Sequence, residues 1–239
     1  VSPPVRVSSP EAVAMHNAGE SPAVNLTFLE ELLLLCLDDE TGLLRPAFAP
    51  WLDTAGAGAL LMDLALKDRV DTDPKRLDIV DRKPTGEPLL DQALEIVAEL
   101  PSGQPIDVYL AQLARHGERF RTDALERLVE RGVLKVKDDR FLWVFKTRAY
   151  PVVDGRAERE VKRRLFSILF DDEIPDPRDV VLISLVSACN LLPMMLSADE
   201  CEHVRERVET IRKMDLIGQS VGRAIRDIEW SIALTQTGF

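Results

Sequence analysis

The chain has 239 residues, 46% hydrophobic and 30% charged, with a net charge of −11. That composition belongs to a folded globular chain long enough to bury a substantial core, and one domain is the expectation. The negative charge excludes a protein that coats nucleic acid by bulk electrostatics, so no nucleic-acid partner is expected.

The longest apolar run, Leu32 to Leu37, lies between Glu31 and Asp38 and is far too short to span a bilayer. No apolar core of signal-peptide length follows Arg6, and the three cysteines, Cys36, Cys189 and Cys201, are odd in number and widely spaced. Both features suit reduced thiols and a cytoplasmic location. Charge is unevenly distributed. From Gln112 to Arg164 there are 15 Lys or Arg against 9 Asp or Glu, a local +6 that leaves −17 on the rest. Such a zone can meet an anionic partner, although scattered solvated charges on helix faces give the same count.

Residues 1–24 hold four prolines and four serines without apolar periodicity, which predicts a flexible tail outside a fold of residues 25–239. Thr27-Phe28-Leu29-Glu30 has capping-box spacing, so a helix is expected to start there and run to about Leu37. Its apolar residues cover nearly every face, which places it centrally. A second helix is predicted from Thr54 to Lys67, with small residues at positions 55–59 that permit close helix contact. Arg69 to Asp71 and Arg76 to Val80 flank Thr72-Asp73-Pro74-Lys75 as a short β-hairpin. Helices follow at Pro88–Leu100, Pro105–Arg115 and Phe120–Arg131, the last stopped by Gly132. Val133–Lys137 and Phe141–Lys146 flank Asp138-Asp139-Arg140 as a second hairpin. Further helices are expected at Asp154–Phe170, Pro177–Leu192, Ala198–Met214 and Gln219–Leu234. The fold class is therefore mainly α, a single helical domain with two short β-hairpins and a flexible N-terminal tail.

Catalytic motifs are nearly absent. Ala55-Gly56-Ala57-Gly58 lacks both the preceding strand and the third glycine of a dinucleotide fingerprint. Cys201-Glu202-His203 offers two metal ligands with nothing near in sequence to complete a site. Ser184 and Ser187 have no glycine elbow and would have to recruit one of three histidines, His16, His116 or His203. No enzyme, cofactor or metal site is expected. Two features remain. Arg115, Arg119 and Arg121 crowd a helix start, where backbone donors and the dipole favour anions, although salt bridges to Glu118 or Asp123 would also account for them. Phe141-Leu142-Trp143-Val144-Phe145 is apolar on both strand faces, so protein, a second chain or lipid must cover it.

Three segments resemble the Golgi phosphoprotein 3 family across residues 26–235. They are Leu26-Thr27-Phe28-Leu29-Glu30-Glu31 with the leucines to Leu35, Pro84-Thr85-Gly86-Glu87-Pro88-Leu89-Leu90-Asp91-Gln92-Ala93-Leu94, and Leu128-Val129-Glu130-Arg131-Gly132-Val133-Leu134. The resemblance implies a helical, non-enzymatic adaptor that binds phosphatidylinositol 4-phosphate and uses an apolar hairpin for insertion and self-association. It also implies membrane-protein clients. The family's headgroup pocket uses a tryptophan, an arginine near the start of the following helix and two basic residues three apart. Here Trp51, or Phe48 without a gap, takes the first place and Ala57 the second. Arg121 and Glu118 take the last two, with Arg115 and Arg119 as substitutes. The Ala-, Leu-, Asp- and Arg-rich wording suggests a bacterial member. Two hypotheses result: a cytoplasmic protein that binds anionic phospholipid membranes reversibly, and a soluble homo-oligomer that uses the same apolar hairpin without lipid.

Overall fold

The first helix, α1 (Phe28–Cys36), opens with the capping box expected of it. The Glu30 carboxylate accepts from the Thr27 N–H at 2.7 Å, and the Glu30 N–H donates to the Thr27 hydroxyl at 3.3 Å. The computed structural model describes residues 26–38, 41–73, 75–136, 149–153, 155–171 and 174–236, with side chains as far as Arg226. All nine residues of α1 are buried, as an all-round apolar helix must be, and Glu30 and Glu31 are buried with the leucines.

The second helix, α2 (Leu52–Leu66), forms the axis of the molecule. It touches α1, α3 (Pro88–Ala98), α4 (Ile106–Ala114), α5 (Gly117–Glu130), α7 (Pro177–Ala188) and α10 (Leu216–Gln236). The small residues make this crowding feasible. A Cβ at Gly58 would overlap a Val221 methyl on α10, so that helix pair approaches as closely as a glycine permits. Around this axis stand α6 (Arg156–Phe170), the short α8 (Leu192–Met195) and α9 (Ala198–Arg212). The buried apolar side chains form one continuous cluster running from Leu26 to Ile225.

Among the described residues the only sheet is a two-stranded antiparallel hairpin, β1 (Val70–Thr72) with β2 (Leu77–Ile79), in which Val70 pairs with Ile79. Its turn is the one expected, with Asp73 accepting from the Lys75 and Arg76 N–H groups at 2.7 and 3.0 Å. The apolar segment Phe141 to Phe145 and the N-terminal tail lie outside the described residues. At the near end of that segment, Leu134 bridges Val152, and the Lys135 N–H donates to Pro151 O at 3.0 Å. The Tyr150 N–H donates to Gly42 O at 2.7 Å, so residues 149–153 are held between the 41–44 turn and residues 133–135.

Helix identities agree with the sequence, and boundaries shift where a local rule was overridden. α5 starts at Gly117 rather than Phe120. α7 ends at Ala188 rather than Leu192, because Asn190 takes a positive φ of 51° and Pro193 cannot continue the ladder; α8 follows as a separate turn.

Candidate functional site

The three segments that carry the resemblance meet in space. Glu87, just before α3, and Glu30 on α1 share the guanidiniums of Arg127 and Arg131 on and just after α5. Arg127 lies 3.2 Å from Glu30 and 2.6 Å from Glu87, and Arg131 lies 3.7 and 3.8 Å from the same two carboxylates. Successive helix residues point about 100° apart, so Glu31 faces the other way. It binds Arg164 of α6 at 3.1 Å and Arg178 of α7 at 2.9 Å. The Pro-Thr-Gly…Leu-Leu-Asp spacing has a local cause. Asp91, in the first turn of α3, accepts from the Thr85 N–H and hydroxyl at 2.5 and 2.7 Å, while Gly86 supplies a φ of +83° between them. An open cleft of about 560 Å³ runs past Glu87, Gln92 and Asp123 between α3 and α5. These motif residues are structural ties, each buried carboxylate being matched by a guanidinium.

The second site is the meeting of two helix starts. Pro46–Phe48 form a 3-10 turn, and Trp51 begins α2 with no side-chain cap; the Phe48 and Trp51 rings stand 5.1 Å apart and are each only 5% exposed. They pack inward and fix where α2 begins. Opposite, the chain turns at Arg115 and His116 into α5, whose N-cap His116 likewise makes no side-chain cap bond. Gly117, the first residue of α5, lies against Asp53 of α2, and a Cβ there would come within 2.6 Å of the Asp53 Oδ1. One turn further along α5, Arg121 pairs with Asp53.

The arginines do not converge. Arg119 and Arg121, two apart, lie on opposite sides of α5. The side chain of Arg119 is 63% exposed and 3.8 Å from Asp123, whereas Arg121 turns in toward α2. Arg115 is exposed and donates to Gln112 at 3.3 Å. Ala57 is buried within α2, and Glu118 is exposed in the first turn of α5. The partner of Arg121, Asp53, was not among the residues singled out from the sequence. Asp53, two residues after Trp51, sits in the first turn of α2, but with the helix predicted to start at Thr54 it falls outside the helix.

Among the described residues no three His, Cys, Asp or Glu side chains stand together as metal ligands. Cys201 and His203 have separate surroundings: the sulfur faces Leu196 O at 4.0 Å, while the imidazole stacks on Phe170 at 6.1 Å. Burial pushes the Cys36 thiol up to about 12 and also raises the Cys189 thiol well above its usual range, so neither is poised as a nucleophile. No helix among the described residues is long and apolar enough to cross a membrane.

Residues 28–228 match the Golgi phosphoprotein 3 (GPP34) family. The chain belongs to that family. It is 26% identical over 214 residues to the vacuolar protein sorting-associated protein 74 of Eremothecium gossypii, covering 74% of this chain and 63% of the relative. To the protein of the same name in Schizosaccharomyces pombe it is 29% identical over 169 residues, covering 60% of this chain and 48% of the relative. The matches therefore span less than two thirds of either curated relative. Both are fungal, and the bacterial source suggested by composition gains no support from them.

Proposed function

We propose that this Golgi phosphoprotein 3 family member is a non-enzymatic adaptor that docks reversibly on anionic phospholipid membranes, phosphatidylinositol 4-phosphate included, through the joined starts of α2 and α5. The observation that carries the reading is the position of Arg121. The resemblance puts it at one of the basic positions of the family's pocket, and its guanidinium pairs with Asp53 in the first turn of α2, two residues after Trp51. Phe48 and Trp51 set that turn, and Arg115 before α5 and Arg119 on its other side add exposed positive charge to the same end of the helix. Phe141 to Phe145, flanked by Arg140, Lys146 and Arg148, supplies an apolar sequence of the kind that enters a membrane interface. Homo-oligomerisation and membrane-protein clients belong to the same proposal.

Flotation with liposomes of graded anionic content tests it. Each cation near an anionic surface contributes about 1 kcal/mol, so replacing Arg119 and Arg121 together by Gln removes about 2 kcal/mol, roughly thirtyfold in affinity. Added salt should weaken wild-type binding in parallel. Binding that is insensitive to salt from low to molar concentration, with the double variant floating like wild type, refutes the electrostatic reading. Trp143→Asp, run with sizing of the free protein, separates insertion from assembly. Lost flotation at unchanged size supports insertion, whereas dissociation of an oligomer in the absence of lipid supports the self-association reading.

A further inference from the structure

Asp53 is the residue that most sharply qualifies the site, and the role inferred for it rests on the reading of Arg121 as a phosphate contact. Its carboxylate is lodged between Gly117 and Arg121, one turn apart on α5, and pairs with the Arg121 guanidinium. The Asp53 side chain is 42% exposed and that of Arg121 is 26% exposed, so solvent and solutes reach the pair. Asp53 is not the N-cap of α2, a position held by Trp51. Gly117 leaves the carboxylate no slack on that side, because any side chain there would occupy its space.

An approaching phosphomonoester therefore meets a guanidinium that already holds an anion. The phosphate must displace Asp53 or share Arg121 with it, and two anions on one cation repel each other. We propose that Asp53 is a built-in competitor for the headgroup phosphate, which sets a threshold so that only a densely charged or multivalent phosphate source engages Arg121. The ligand chemistry is a phosphate dianion, from a lipid headgroup or from a soluble phosphomonoester.

The test compares wild type with Asp53→Asn and Asp53→Ser in two arms, with thermal melts to show that each is folded. One arm is flotation with phosphatidylcholine vesicles carrying a few per cent phosphatidylinositol 4-phosphate. The other is calorimetric titration with soluble inositol 1,4-bisphosphate. Glu95→Gln, which removes an exposed charge on α3 outside the site, is the control for net charge. Both Asp53 variants should bind roughly fivefold more tightly than wild type, the effect of one elementary charge near such a surface, and more tightly than the Glu95 variant. Tighter binding by the Asp53 variants in the soluble arm alone upholds the competitor and removes the membrane reading. Unchanged or weaker binding by folded Asp53 variants overturns the competitor, since Asp53 would then only position Arg121. A gain equalled by Glu95→Gln overturns it too. No binding by any protein in either arm overturns both readings.

Discussion

Replacing Asp63 by Asn should flatten a pH dependence of stability that one buried carboxyl imposes on the whole fold. Asp63 sits on α2, 4% exposed, where Oδ2 accepts the Phe28 N–H at 2.7 Å and Oδ1 lies 3.7 Å from Arg178. Glu31 of α1 and Lys67, just after α2, also act on it, and Glu87 shares the small cavity of about 170 Å³ beside it. Burial pushes the Asp63 carboxyl up to about 7, against the lowering influence of the Phe28 N–H and Arg178. In the unfolded chain it titrates near the ordinary value of about 3.9. Between those values the folded state holds a proton that the unfolded state has released. The contribution is thus fully present below about pH 4 and is lost as pH rises through about 7. Three units correspond to about 4 kcal/mol, with a slope of about 1.4 kcal/mol per pH unit inside the window. Urea denaturation of wild type and Asp63→Asn from pH 5 to 8 measures it as a difference, in which the other titrating groups cancel. The variant should gain on wild type as pH rises to 7 and then hold steady. A difference that is flat from pH 5 to 8, or that falls with rising pH, refutes the assignment.

Gly42→Ala should destabilise the fold by about 2 to 4 kcal/mol, because φ is +67° there and the added Cβ falls within 2.6 Å of the Tyr150 carbonyl carbon. Amide exchange at Tyr150 should accelerate more than exchange in α2, since that N–H donates to Gly42 O; uniform acceleration would contradict a local clash. Gly58→Ala should cost about 1 to 3 kcal/mol by overpacking against Val221, and Val221→Ala in the same chain should restore part of the loss. Additive costs in that double-mutant cycle would show that the two sites do not touch.

Local signals in the sequence carried far. The Thr27 and Glu30 capping box, the turn at Asp73 and the small-residue face of α2 were all legible, because each depends on neighbours within a few positions. Gly117 was not. With the helix predicted to start at Phe120 it falls outside the element, yet it is the first residue of α5, and its missing side chain makes room for Asp53 sixty-four positions earlier. The ionic ties were hidden for the same reason: Arg127 and Glu30 are 97 residues apart, and Arg178 and Glu31 are 147 apart. Nothing in the local sequence pairs those positions until the fold brings them together. At the candidate site, helix phase between Arg119 and Arg121 was enough to separate side chains that look contiguous in the sequence.

The adjacent carboxylates of α1 also answer a question that its leucines leave open. Leu32, Leu33, Leu34 and Leu35 are interchangeable in volume, so a core lined by them would accept the helix rotated or shifted by one position with little loss of packing. Glu30 and Glu31 do not permit it. Each is buried against guanidiniums on a different side of the helix, Arg127 and Arg131 on one and Arg164 and Arg178 on the other. A slip of one residue turns α1 by about 100° and leaves buried carboxylates without their partners, which costs several kcal/mol. The leucines make the helix cohesive, and the two glutamates give it an address.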